Sequence, residues 1–227
     1  MEIIRDYNIE PATEADIPTL TEFLVASKRH LAINRFLFTD WPAEGVQRAN
    51  YGAAVRGGMN KPDLSSLKAV HNESRRTVAY LVVARSAGAG AGSAGRGESQ
   101  AQPPKRKGRA PEGIDPAVLE RVEDAIAELG KPDGDYLVYM YVEPPSRGMG
   151  IGELLLRECV DRAQWEGLPL SINCEPNHHD WFRRRGFRDV RVADIDLRAF
   201  AAENSGYGVF RISRMTWVGT GPFVAVG

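Results

Sequence analysis

Residues 135–166 read DYLVYMYVEPPSRGMGIGELLLRECVDRAQWE, and the pattern changes character twice within them. From Asp135 to Val142 nearly every side chain is β-branched, aromatic or large, which predicts a strand covered on both faces. Glu143-Pro144-Pro145-Ser146 ends it, because proline has no N–H for a ladder. Arg147-Gly148-Met149-Gly150-Ile151-Gly152 follows, and then a helix on which Leu155, Leu156, Cys159, Val160 and Ala163 share one face.

The loop between strand and helix carries the chemistry. Glycines at every second position let main-chain amides approach a ligand with no Cβ in the way. The helix that follows turns its unpaired N–H groups and positive dipole end to the same spot. Arg147 adds a cation, so the loop is a diphosphate cradle. It is not a P-loop, because Gly152-Glu153-Leu154 has neither the lysine nor the magnesium-binding hydroxyl. Nor is it a Rossmann turn, since Gly148-x-Gly150-x-Gly152 follows a Pro-Pro spacer rather than the strand itself.

The stretch resembles the acyl-CoA loop of the GNAT acetyltransferase superfamily. That family's Arg/Gln-x-x-Gly-x-Gly/Ala pattern is met by Arg147, Gly150 and Gly152, after a strand ending V-x-P, here Val142-Glu143-Pro144. The resemblance implies an α/β GNAT fold: a mixed, mostly antiparallel central sheet with a splayed parallel strand pair, 136–142 and 169–174, flanked by helices. It implies acetyl-CoA as co-substrate, its pyrophosphate held by Arg147, Gly148, Met149, Gly150, Ile151 and Gly152. The pantetheine arm would run along Met140, Tyr141 and Val142, with Asn173, Asn177 and Phe182 completing the cofactor set.

Around this centre, 227 residues suit one domain. Tyr7–Ala12 reads as a first strand, and Thr13–Asp16 starts a helix with Leu20, Phe23 and Leu24 on one face. Residues 31–61 hold further helix and concentrate the aromatics Phe36, Phe38, Trp41 and Tyr51, read as core beside the acceptor. Segments 67–71 and 76–84 form a hairpin. Residues 86–113 almost lack large apolar side chains and read as a flexible low-complexity insertion. Asp115-Pro116 opens an extra helix over 115–130, with Leu119, Val122, Ile126 and Leu129 as its stripe. Phe187–Val192 and Gly208–Trp217 complete the sheet as antiparallel strands.

A net charge of −1 gives no general pull toward nucleic acid, and no apolar run has the length of a bilayer span. Two cysteines make no disulfide framework, which points to a reducing, cytoplasmic setting. Lys105–Arg109 offers a nuclear import tag, with a solvated linker as the plainer reading. A monomer or homodimer is expected. No metal is expected, because the adjacent His178 and His179 diverge on a helix and lack a partner pair.

The catalytic residues are the weak point of the resemblance. An amine with a pKa near 10 is neutral in only about one molecule per thousand at pH 7, so a base is wanted. The family's glutamate position, six residues before the V-x-P valine, holds Tyr136, and its acid tyrosine, four before Gly186, is Phe182. Tyr136, Tyr141, Glu143, Cys174 and His178 are the substitutes available. The expected activity is acetyl transfer to a primary amine of a small molecule or peptide by direct attack. A protein or histone acetyltransferase is one alternative, and an acyl-CoA-binding module without catalysis is the other.

Overall fold

The computed structural model describes residues 6–86 and 110–219. Seven strands form one sheet: β1 (Tyr7–Pro11), β2 (Leu64–His71), β3 (Thr77–Ala84), β4 (Asp135–Val142), β5 (Leu170–Cys174), β6 (Arg188–Asp196) and β7 (Val209–Trp217). Their order is β1-β2-β3-β4-β5-β7-β6. Only β4 and β5 run parallel, and they pair over just three positions, Asp135–Leu170, Tyr136–Ser171 and Leu137–Ile172, before parting. This is the expected mixed sheet with a splayed parallel pair.

β4 reads as one strand in sequence but carries an irregularity. Val82 faces Tyr139 and Val83 faces Leu137, so Val138 is surplus on β4 and the side-chain alternation slips by one. Before the bulge, Leu137 points to one face; after it, Met140 and Val142 do, while Tyr139 and Tyr141 take the other.

One face is covered by α5 (Ile151–Glu166), with Leu155, Leu156, Cys159, Val160 and Ala163 buried as the spacing predicts. They pack on Leu81, Val83, Leu137, Ile172 and Met215 in a single core. Gly150 and Gly167, both left-handed, bound the helix; Gly167 closes it with its N–H on Ala163 and Gln164 carbonyls.

The opposite face has two smaller cores. α1 (Ile17–Lys28) and α3 (Gly45–Met59) bury Leu20, Phe23 and Val55 against Tyr80, Val82 and Tyr141 of β3 and β4. The second joins Leu31, Ile33 and α4 (Pro116–Glu128) to Ile195, Phe210 and Ile212 of β6 and β7; α2 (Asn34–Leu37) lies beside it. Of the 31–61 aromatics, Phe38 is buried, while Phe36, Trp41 and Tyr51 are partly covered.

α4 has the Asp115 cap and first-turn Pro116 read from sequence; the carboxylate accepts from Ala117 and Val118 amides at 2.9 and 3.0 Å. Its buried stripe differs from the expected one. Val118, Ala125 and Leu129 face inward, while Ile126 is 38% exposed. The helix is turned so that the small Ala125 meets the sheet, which gives the closer approach. The expected insertion falls largely outside the described residues, as does Lys105–Arg109. Its end is tied down: Thr39 N–H donates to Gly113 O at 3.0 Å, and Asp115 N–H to Leu37 O at 2.8 Å.

Candidate active site

The strand-to-helix loop has the geometry of an anion cradle. Pro144–Ser146 forms a single 3-10 turn, after which Gly148 and Gly150 both take positive φ, 78° and 79°. The N–H groups from Gly148 to Glu153 find no acceptor among the described residues, and the first pairing resumes with Leu154 N–H on Gly150 O at 2.9 Å. Gly148 has nothing within 4 Å of where a Cβ would stand. Gly152 is glycine for another reason: a Cβ there would meet Trp181 at 3.4 Å and Val142 at 3.7 Å. Two of the three glycines thus shape the loop, and the third admits neighbouring side chains.

Arg147 leans back over the strand. Its Nε donates to Val142 O at 2.9 Å and its guanidinium lies 5.5 Å from the Tyr141 ring centre. Met149 is held from the other side by the Tyr7 hydroxyl at 3.4 Å. Ile151 is buried in the α5 core, so the part it offers a ligand is its amide.

The remaining expected residues separate. Asn177 is exposed at the end of β5, and Asn173 accepts a hydrogen bond from Arg214 Nε at 2.5 Å. Phe182 is 4% exposed, stacked edge-on with Trp181 and Phe187. It packs the core where the family pattern puts an acid. Glu143 is committed to Arg76 at 2.5 Å and to the Ser146 hydroxyl at 3.0 Å. Cys174 is buried, and burial, reinforced by Glu175 and Asp189, pushes its thiol up to about 12, far from a thiolate at neutral pH. Burial likewise raises Tyr136, Tyr139 and Tyr141, so these phenols keep their protons and donate. His178 moves the other way. Desolvation of its ring lowers its pKa against the pull of Glu175, and the Lys28 and Arg147 cations lower it further. Its neighbour His179 bonds Asp189 through Nε2 at 2.9 Å. Among the described residues no three His, Cys, Asp or Glu side chains gather as a metal site.

Two features of the site escaped the sequence reading. Glu175, just past β5, forms an ion pair with Lys28 at the end of α1, and its charge is felt by Tyr51, Tyr139, Cys174 and His178. Tyr139 completes this corner by donating to Ser27 Oγ at 3.0 Å. On the far side, Arg214 of β7 lies 5.5 Å over the Tyr136 ring. Between the two corners the surplus Val138 is 46% exposed, in the middle of the sheet, where β4 and β5 part. A separate surface groove of about 470 Å³ between α1 and α3 shares none of these residues, and its Arg48 is already paired with Glu22 and Glu44.

The loop, the short-paired parallel strands and the helix after them fix the kinship. The fold is that of the GNAT acetyltransferases. Residues 117–189 match the family model described as acetyltransferase (GNAT) domain. The whole chain superposes on a histone acetyltransferase HPA2 and related acetyltransferase from Corynebacterium glutamicum, at 15% identity and a TM-score of 0.53, covering 96% of this chain and 99% of that one. An arylalkylamine N-acetyltransferase candidate from the yellow fever mosquito gives 15% identity and 0.57, covering 93% and 87%. NAA60 of Arabidopsis thaliana, solved with a bisubstrate analogue, gives 15% and 0.50, covering 93% and 98%. No curated protein matches the chain. No described helix is long and apolar enough to cross a membrane.

Proposed function

We propose that this protein is an acetyl-CoA-dependent N-acetyltransferase that acts on a primary amine of a small molecule or peptide. One observation carries the reading: consecutive amides from Gly148 to Glu153 stand without acceptors at the mouth of a helix, next to a parallel pair that opens after three residues. Phosphate oxygens are the ligands such a cradle suits. Arg147, tethered through Nε, has its remaining guanidinium donors for the same anion.

Bound acetyl-CoA would supply an acyl thioester. The chain's own contribution is to place it and to take a proton from the incoming ammonium. Glu175 is the carboxylate left for that task once Glu143 is committed to Arg76 and Asp135 is buried under α5. Its Lys28 partner holds it ionised, and the protonated tyrosines around it donate rather than compete for the proton. His178 is a second acceptor in the same corner, kept neutral by its surroundings. The similar structures carry acceptors of different kinds in their names, so the fold leaves the acceptor open.

Thermal unfolding with acetyl-CoA tests the cradle. At 100 times its dissociation constant the ligand adds about 2.7 kcal/mol of stability. Gly150→Glu sets a side chain at φ 79° and a negative charge among the amides, and should abolish that gain. An unchanged shift in the variant would sink the reading. A shift for wild type without coenzyme A release over a broad amine panel would favour the acyl-CoA-binding module.

A further inference from the structure

We propose that Arg214, held by Asn173, is a carboxylate-binding subsite, and that the acceptor is an amine bearing its own carboxylate, as an amino acid does. The inference rests on the acetyltransferase reading above.

Arg214 is 4% exposed, yet among the described residues it forms no ion pair. Every other well-covered cation has a carboxylate: Lys68 has Asp16, Arg85 has Asp135, Arg185 has Glu153, and Lys28 has Glu175. The partners of Arg214 are neutral oxygens, Asn173 Oδ1 at 2.5 Å and Gly130 O at 3.2 Å. Gly130 lies at the C-terminal end of α4, so its carbonyl brings a fraction of a negative charge, well short of a carboxylate. Asp133 and Arg191 act on Arg214 from further off, with opposite signs. A guanidinium has five donors, and two are used. Burying an uncompensated cation is costly, so a structural arginine in this place would be expected to carry a counter-ion.

Its position says what the missing partner is. Alternation along β7 puts Arg214 on the face of Phe210 and Ile212, away from α5. Asn173 is the first β5 residue beyond the last paired position, Ile172, where the strands begin to part. Glu175, still extended at φ −78° and ψ 155°, follows on the same face, about 6.7 Å further along by strand geometry. An acid-binding cation and an amine-binding carboxylate thus flank the exposed Val138. A ligand with an ammonium at one end and a carboxylate at the other matches both.

Thermal unfolding of the full chain with coenzyme A tests this without needing turnover. The probes are the acetylated products N-acetylglycine and N-acetyl-β-alanine, each against its primary amide. We expect the acids to bind at least about tenfold more tightly than the amides, the scale of one charge-assisted hydrogen bond. Arg214→Met should erase that difference and Arg214→Lys should restore part of it. Equal binding of acid and amide to the native protein overturns the proposal whatever the variants do, and so does a preference that survives in Arg214→Met. Acetyl-CoA that stabilises the chain while the preference is missing sinks the subsite alone. Acetyl-CoA that fails to stabilise it sinks the acetyltransferase reading and the subsite together.

Discussion

Asp135 and Tyr136 are neighbours on β4 and lie beneath two arginines that are treated in opposite ways. Under α5, Asp135 is fully buried, takes Arg85 at 3.2 Å and accepts the Ser86 amide at 2.9 Å. Across the sheet, Tyr136 sits beneath Arg214, which has no carboxylate at all. One region neutralises its charge internally and is finished; the other leaves a charge open where the strands divide. The first arrangement serves folding, and the second anticipates a visitor.

The largest effect should come from breaking the finished side. Asp135→Ala strands two buried guanidinium groups and should cost about 3–5 kcal/mol in urea unfolding. The loss should be the same with and without acetyl-CoA. Next, Glu175→Gln should lower kcat about a hundredfold, roughly 2.7 kcal/mol of barrier, while leaving the acetyl-CoA thermal shift in place. A fall in stability that accounts for the whole loss would reduce Glu175 to a clamp on Lys28. Arg214→Met should change stability by no more than about 1 kcal/mol, because relief of an unpaired charge offsets the acceptors left behind. If it proved as damaging as Asp135→Ala, the contrast between the regions would collapse.

The smallest effect concerns His178. Its imidazole binds a proton less tightly in the fold than its ordinary value of 6.5. The unfolded chain therefore takes up the proton first, and stability is lost as pH falls from 6.5 toward the lowered folded value. His178→Gln should flatten that limb of an unfolding-against-pH curve; a limb unchanged in the variant would assign it to another group.

The halves of the molecule also differ in how far they could be read in advance. The α5 side is written in local terms: an apolar run, a glycine loop, a helical stripe, and Gly186-Phe187 closing α6 (His179–Arg184). Each signal spans a few residues, so the chain states it outright. The other side depends on meetings between distant segments. Lys28 and Glu175 are far apart in the chain, as are Asn173 and Arg214, and no spacing rule announces either pair. One clue was present. In Val209–Trp217 the alternating positions Phe210, Ile212 and Arg214 put a cation where the pattern calls for an apolar side chain. The rotated stripe of α4 was missed for a related reason, since Val118 and Ala125 face inward only because of what β6 and the segment around Leu31 present to them.

The surplus residue at position 138 has one more consequence. A strand without it would keep a strict two-residue rhythm, and whatever suited its first half for one side would bind its second half to the same side. The extra residue resets the count midway, so the beginning of β4 can answer to one partner and its end to another. Removing Val138 would therefore do more than shorten a strand: it would turn the tyrosines beyond it toward α5 and deliver Met140 and Val142 to the side where the acceptor is expected.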